Sequence, residues 1–290
     1  TYLLGRQSGN INIAFYALGL SEIHNFFSGA PLKEVFERST KYDQYAANQR
    51  EKLSRDYFNL LITFCNELMS SSFSNNPFQK DGNTLPDNTD RKKESDFSGV
   101  LLTTLFRNIA DVLNENYSGV ESYLELLQEG VKTIGKSSYQ LPLGYFIGGL
   151  KLTRQPDHLQ KKQQVLIENA LRFLEKCSKQ IQENHAAKYN CLKASYCRKK
   201  GNYTEAMILI NLAIDIAYEN KLTIEEALAW EEKYLIQNEM HHFNAAQESL
   251  RSAYIVFERW GSNAKLNKLK QQQSIIFIDK TQVDANNNGS

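Results

Sequence analysis

Residues 203–217 read Tyr203-Thr204-Glu205-Ala206-Met207-Ile208-Leu209-Ile210-Asn211-Leu212-Ala213-Ile214-Asp215-Ile216-Ala217. Ala206, Leu209, Ile210, Ala213, Ile216 and Ala217 recur at the three- and four-residue intervals that wind one apolar stripe around an α-helix. Small residues in that stripe let a neighbouring helix come close. The same skeleton, Tyr203, Ala206, Ile210, Ala213, returns as Phe243, Ala246, Leu250, Ala253, as Tyr117, Val120, Leu124, Leu127, and most weakly as Ile11, Ala14, Leu18, Ser21. A fixed pattern recurring along one chain marks stacked units, each too small to bury its own apolar face. Tyr203 and Phe243 stand 40 residues apart and Tyr117 and Tyr203 stand 86 apart, so one further unit is expected between the last two. The pattern predicts an all-α superhelix of helical repeats.

Composition is compatible with that fold. A length of 290 residues is long for one compact core, whereas stacked units grow without that limit. With 34 Lys+Arg against 33 Asp+Glu the net charge is +1, which provides no electrostatic footprint for nucleic acid or an anionic membrane. The short basic clusters Arg91-Lys92-Lys93 and Arg198-Lys199-Lys200 read as solvated surface. No apolar run approaches the roughly 18 to 20 residues of a membrane span, and no secretory apolar region opens the sequence. Cys65, Cys177, Cys191 and Cys197 form no C-x-x-C pair and read as buried thiols of a reducing, cytoplasmic setting. Asn116-Tyr117-Ser118 and Asn202-Tyr203-Thr204 match a glycosylation pattern but fall at turns into helices of a cytosolic chain.

Helical periodicity is expected over 10–28, 32–47, 50–70, 97–115, 118–134, 142–155, 159–182, 185–200, 203–219, 224–239, 243–259 and 263–273. Between 71 and 95 it stops, and Ser71-Ser72-Phe73-Ser74-Asn75-Asn76-Pro77 with Asp81-Gly82-Asn83 predicts a disordered insertion in a repeat domain covering 1–273. Residues 274–290, ending Asn286-Asn287-Asn288-Gly289-Ser290, read as a linker or tail. Apart from the short apolar run Ile275 to Ile278, nothing alternates as a strand would. Because Thr1 is not a start residue, the sequence is read as a piece of a longer protein.

One catalytic motif is matched in full. Gly130-Val131-Lys132-Thr133-Ile134-Gly135-Lys136-Ser137 fits the phosphate-cradling pattern G-x-x-x-x-G-K-[ST]. That loop needs a buried strand before it and a helix N-terminus after it. Here an amphipathic helix from Val120 to Gln128 precedes it and Pro142 follows closely, so Gly130, Gly135, Lys136 and Ser137 are read as a chance match at a helix C-terminus. His241 and His242 are adjacent and diverge, with Glu239 a loose third group, which makes a poor zinc site. His24, His158 and His185 stand alone, and no nucleophile and base can be paired by spacing. Glu231 is different: it occupies a stripe position four before Leu235, where its charge is either satisfied by a neighbouring helix, the preferred reading, or exposed toward the concave groove.

The run Lys200-Gly201-Asn202-Tyr203-x-x-Ala206, with Ala213-Ile214 and Ala217 behind it, is similar to tetratricopeptide-type repeats. Glu226-Ala227-Leu228-Ala229-Trp230-Glu231, Tyr234-Leu235, Ala246, Ala253-Tyr254 and Trp260-Gly261-Ser262-Asn263-Ala264-Lys265 follow. That order resembles the helical repeat region of large multidomain sensor histidine kinases of bacteria and fungi. In those proteins a serine/threonine-kinase-like domain and an AAA-type ATPase precede the repeats, and GAF and histidine-kinase modules follow. Gly9-Asn10 before Ala14, and Phe27-x-Gly29-x-Pro31-Leu32, extend the likeness to about residues 8 to 270. Ser262 stands where the W-G-A-x-A-K signature has alanine, and the insertion departs from the compact bacterial versions.

The resemblance implies a non-catalytic, TPR-like scaffold acting in phosphorelay signalling. Its expected partners are protein domains or peptides, among them neighbouring modules of the same chain. No cofactor is implied for the segment itself; ATP and magnesium belong to the neighbouring domains. The alternative is a stand-alone peptide-binding adaptor of co-chaperone type. Trp260, three after Phe257 on one stripe, is expected to be buried against a terminal helix through Ala264 and Leu266. Gly261 would be left-handed, and the pair would cap the C-terminal end of the superhelix.

Overall fold

Four turns set the period of the C-terminal half. Gly201, Lys221, His241 and Gly261 have φ of 77°, 57°, 61° and 93° and follow one another at intervals of 20 residues. In each, the amide after the left-handed residue donates back to the carbonyl five residues earlier: Asn202 to Cys197, Leu222 to Ala217, His242 to Gln237 and Ser262 to Phe257. This bond closes the outgoing helix, and the next begins at once. Asn202 caps its helix by accepting from the Glu205 amide. Two half-units of 20 residues make the 40-residue unit read from Tyr203 and Phe243.

Lys221 is exposed and pays the steric cost of a side chain at positive φ. Lys221→Gly is therefore expected to raise stability by about 1 kcal/mol, measured as a higher denaturation midpoint. A lowered midpoint would show that the lysine contributes more than its backbone strain removes.

The computed structural model describes residue 7 and residues 9–49, 53–74, 94–133, 138 and 140–271. The helices are α1 (Ile11–Phe27), α2 (Leu32–Asn48), α3 (Leu53–Met69), α4 (Glu94–Leu113), α5 (Val120–Thr133), α6 (Gln140–Arg154), α7 (Lys161–Gln180), α8 (Gln182–Lys199), α9 (Tyr203–Glu219), α10 (Thr223–Glu239) and α11 (Phe243–Trp260). A last helix, α12, covers 263–271. There is no strand among the described residues, and the fold is all-α as the periodicity predicts. Residues 75–93 of the expected insertion, Arg91-Lys92-Lys93 among them, lie outside the described residues, as do the run Ile275 to Ile278 and the tail at 274–290.

The unit expected between 117 and 203 opens with α7. Gln163, Ile167, Ala170 and Leu174 repeat the spacing of Ala206, Ile210, Ala213 and Ala217, and Ile167, Ala170 and Leu174 are buried. A glutamine in the first position hid it. The weakest stretch holds only at Ala14, which is buried: Ile11 and Ser21 are exposed, Leu18 is half-buried, and α1 also buries Phe15, Gly19, Ile23 and Phe26.

Neighbour relations alternate along the chain. α4, α6, α8 and α10 touch in succession and form one row, while α5, α7 and α9 each pack against the two row helices next to them in sequence. Within the row, α6 is buried along its whole length. Gly144, Gly148 and Gly149 make this possible, since a Cβ there would stand 2.7, 2.7 and 2.6 Å from Leu127, Leu124 and Leu192 carbons.

The two ends of the chain also meet. The Phe26 ring of α1 lies 5.4 Å from Phe64, 5.1 Å from Phe106 and 5.8 Å from Trp260, centroid to centroid. Thr223 Oγ1 donates to the Gly29 carbonyl at 3.1 Å, Asn263 Nδ2 to the Met69 carbonyl at 3.0 Å and Asn267 Nδ2 to the Ser71 carbonyl at 2.8 Å. Trp260, Ala264 and Leu266 are buried and Gly261 is left-handed. The role expected for that pair changes, however. Trp260 and Gly261 do not cap a free end but face Phe26 and Leu32, so the last helices join the first.

Candidate functional site

The row of inner helices is threaded by polar side chains in a position where apolar packing would be the ordinary choice. At one end the Lys151 ammonium on α6 donates to Asn108 Oδ1 and Asp111 Oδ2 on α4, both at 2.8 Å. Two residues on, the Thr153 and Ser195 hydroxyls meet at 2.7 Å between α6 and α8. Next come Arg154 and Arg198, near the C-terminal ends of α6 and α8. They converge on α10, where two adjacent carboxylates wait.

Glu232 stands between the two guanidinium groups. It accepts from Arg154 Nε at 3.1 Å and from Arg198 Nε at 2.6 Å, and its side chain is 0% exposed. Glu231 accepts from Arg154 Nη1 at 3.4 Å and from Lys265 Nζ at 2.6 Å. Lys265, on α12, is itself fully buried and also reaches Glu115 at 3.4 Å. Arg198 spends a further nitrogen on Glu239, at 2.5 Å. The remaining guanidinium nitrogens donate to the carbonyls of Leu228 and Thr153. Charges taken out of water at this depth persist only when paired and hydrogen-bonded in this way.

The titration tendencies follow from the pairing. Burial alone would push the Glu232 carboxyl up, but Arg198 and Arg154 hold it below the ordinary carboxylate value. Arg154 pays for burial too, and Glu232 and Glu231 still carry its pKa above the ordinary arginine value. Burial raises the Cys191 thiol well above its usual range and leaves it a packing group. Burial likewise lowers the His185 imidazole to about 4.

Glu115 is placed by an unusual backbone. It sits just past α4 at φ 60°, a conformation costly for a residue with a Cβ. From there its carboxylate faces α12, Oε1 toward Lys265 and Oε2 3.7 Å from Lys268. Strain of this kind persists where the surroundings over-determine it. The ionic groups thus run from α6 and α8 through α10 to α12 and back to the end of α4.

Beside this network lies a cavity of about 350 Å³, bordered by Glu115, Tyr117, Arg154, Arg198, Lys199, Tyr234 and Glu239. Burial raises the Tyr117 phenol to about 12. Lys199 is held below the ordinary lysine value by burial and then by Arg198. Its ammonium donates to the backbone oxygens of Gln155 and Pro156 in the α6–α7 turn.

The residues singled out in the sequence are distributed unevenly over this region. Glu231 and Lys265 are brought together as an ion pair, and Trp230 stands half-buried with the Lys233 ammonium 4.9 Å over its ring. Ala206, Ala213, Ala246 and Ala253 are fully buried and pack helices, and Tyr203 is half-buried beside them. Gly130 is buried inside α5, which ends at Thr133; Gly135, Lys136 and Ser137 lie outside the described residues. Glu239 belongs to Arg198 rather than to His241 or His242, and among the described residues no three His, Cys, Asp or Glu side chains come together to hold a metal ion.

One expectation is overturned. Of Arg198-Lys199-Lys200 only Lys200 is exposed, resting 4.1 Å over the Tyr196 ring. Arg198 and Lys199 turn inward because α8 presents them to the carboxylates of α10 and the open carbonyls after α6. Arg154 and Glu232 carried no signal of their own, and Tyr117 was read only as the opening position of a repeat; charged residues at stripe positions, as at Glu231, were the available clue. No helix of the described residues is long and apolar enough to cross a membrane. Comparison with protein-family models, with curated proteins and with solved structures yields no match.

Proposed function

We propose that this chain is a non-catalytic scaffold and protein-interaction segment. In this reading the parent protein is a multidomain sensor histidine kinase of the kind its repeats resemble, acting in cytoplasmic phosphorelay signalling. The observation that carries the scaffold reading is the closed ionic network. Arg154, Arg198, Glu231 and Glu232 are spent on one another and on Lys265, with both guanidinium groups also bonded to carbonyls. Groups so committed hold helices at fixed spacing. A row held in this way keeps one shape and presents it to a protein domain or peptide.

Two experiments test this. Reading the gene on either side should reveal kinase-like and ATPase modules before the segment and GAF and histidine-kinase modules after it. Flanks without them remove the signalling role and leave the stand-alone adaptor. ATP and magnesium are assigned to those modules, so calorimetry of this chain with Mg-ATP should show no saturable heat. Micromolar binding abolished by Lys136→Ala would overturn the non-catalytic reading and restore the phosphate loop.

A further inference from the structure

One cation bordering the cavity has no carboxylate in contact with it. Arg154, Arg198, Lys265 and Lys268 each have a carboxylate within 4.0 Å, drawn from Glu115, Glu231, Glu232 and Glu239. Lys199 does not. Its partners are the two neutral carbonyls after α6, and no carboxylate of the described residues is in ion-pair range of it. Among the described residues Lys199 is thus the one cation bordering the cavity with no carboxylate within 4.0 Å; Glu239 and Asp157 act on it only from beyond that range.

Tyr117 and Tyr234 border the same space, and neither hydroxyl has a hydrogen-bond partner among the described residues. A phenol lining a half-buried polar cavity normally finds one. The carboxylates nearby do not oppose an incoming anion with their full charge, since Glu239 is neutralised by Arg198 and Glu115 by Lys265 and Lys268. The volume, about 350 Å³, is at the small end of ligand pockets and exceeds what one acidic group needs.

From these observations we infer that the cavity binds a single oxyanion, a carboxylate or a phosphate, with Lys199 supplying the charge and the Tyr117 and Tyr234 hydroxyls the hydrogen bonds. This rests on reading the inner row as a recognition surface, and it names the chemistry such a partner would present there. Burial lowers the Lys199 pKa, and a bound anion would reverse that tendency by restoring a counter-charge.

The test is calorimetry of the whole 290-residue chain at constant ionic strength with three probes: inorganic phosphate, N-acetylglutamate amide and N-acetylglutamine amide. At least one oxyanion should give a saturable heat with one site per chain, and the neutral glutamine probe none. Which oxyanion binds separates a free phosphate from an acidic side chain of a partner. Lys199→Gln should weaken binding at least about tenfold, and Tyr117→Phe with Tyr234→Phe about fivefold. Lys200→Gln, at the exposed neighbour, should leave it unchanged.

Should Lys199→Gln fail to fold, the native chain still decides. A saturating oxyanion should slow acylation of the Lys199 amine about fivefold relative to Lys200. No saturable heat with either oxyanion, undiminished affinity in Lys199→Gln, or equal acylation of the two lysines would overturn the site. Each of those outcomes leaves the scaffold reading standing, because that reading is decided by the flanking modules and by Mg-ATP.

Discussion

Glu232→Ala should destabilise the chain by about 3 to 5 kcal/mol, the cost of leaving buried charges without their counter-ion. Two guanidinium groups, at 3.1 and 2.6 Å, lose one carboxylate together. Both are buried and also bonded to carbonyls on α10 and α6, which holds them where the carboxylate is lost. Denaturant unfolding of the variant measures the effect, and a loss below about 1 kcal/mol would show that water or Glu231 replaces the missing group. The pH dependence has a fixed sign. A carboxyl depressed in the folded state adds stability above its unfolded value, and that stability is lost as pH falls through the folded value. The parent should therefore lose stability in acid, and the variant should have less to lose.

Gly29→Ala should cost more than about 3 kcal/mol, from positive-φ strain and a backbone collision together. The residue has φ 82°, and a Cβ on it would stand 2.2 Å from Thr223 Oγ1, 2.4 Å from Thr223 Cβ and 2.9 Å from the Thr223 amide nitrogen. The first two contacts could be relieved by a smaller side chain at 223. The third could not, because that nitrogen belongs to the first residue of α10. Adding Thr223→Gly to Gly29→Ala should accordingly recover only part of the loss, a coupling that a double-mutant cycle would read directly. If Gly29→Ala melts with the parent, the contact between the α1–α2 turn and α10 is not a feature of the folded protein.

Much of the helical order could be read from residues alone, and the reasons are visible in which helices were clear. α9 and α11 each bury one stripe, so Ala206 to Ala217 and Ala246 to Phe257 declare a period although Ile208, Leu212 and Ile255 stay exposed. α6 has none, being buried on every side, and the helix expected over 142–155 begins two residues earlier, at Gln140. Polar network members are harder still. Glu231 betrays itself by occupying a stripe, but its partners Arg154 and Lys265 come from other helices, and at the level of sequence an arginine ending a helix is indistinguishable from a solvated one. Phe27-x-Gly29-x-Pro31-Leu32 and Trp260-Gly261 were both noted as signatures. That they touch is a property of the curvature of the stack, which no local pattern encodes.

The meeting of first and last helices bears on how the chain reaches this state. A stack of repeats forms from near-neighbour contacts and can start anywhere, which favours rapid assembly. The Thr223 to Gly29 bond spans 194 residues and the Asn267 to Ser71 bond spans 196, so these contacts must await nearly the whole chain. During synthesis α1 to α4 would emerge with the Phe26, Phe64 and Phe106 cluster lacking Trp260. Closure is then the last and most entropically demanding event, and an aromatic face waits on the ribosome for a tryptophan not yet made.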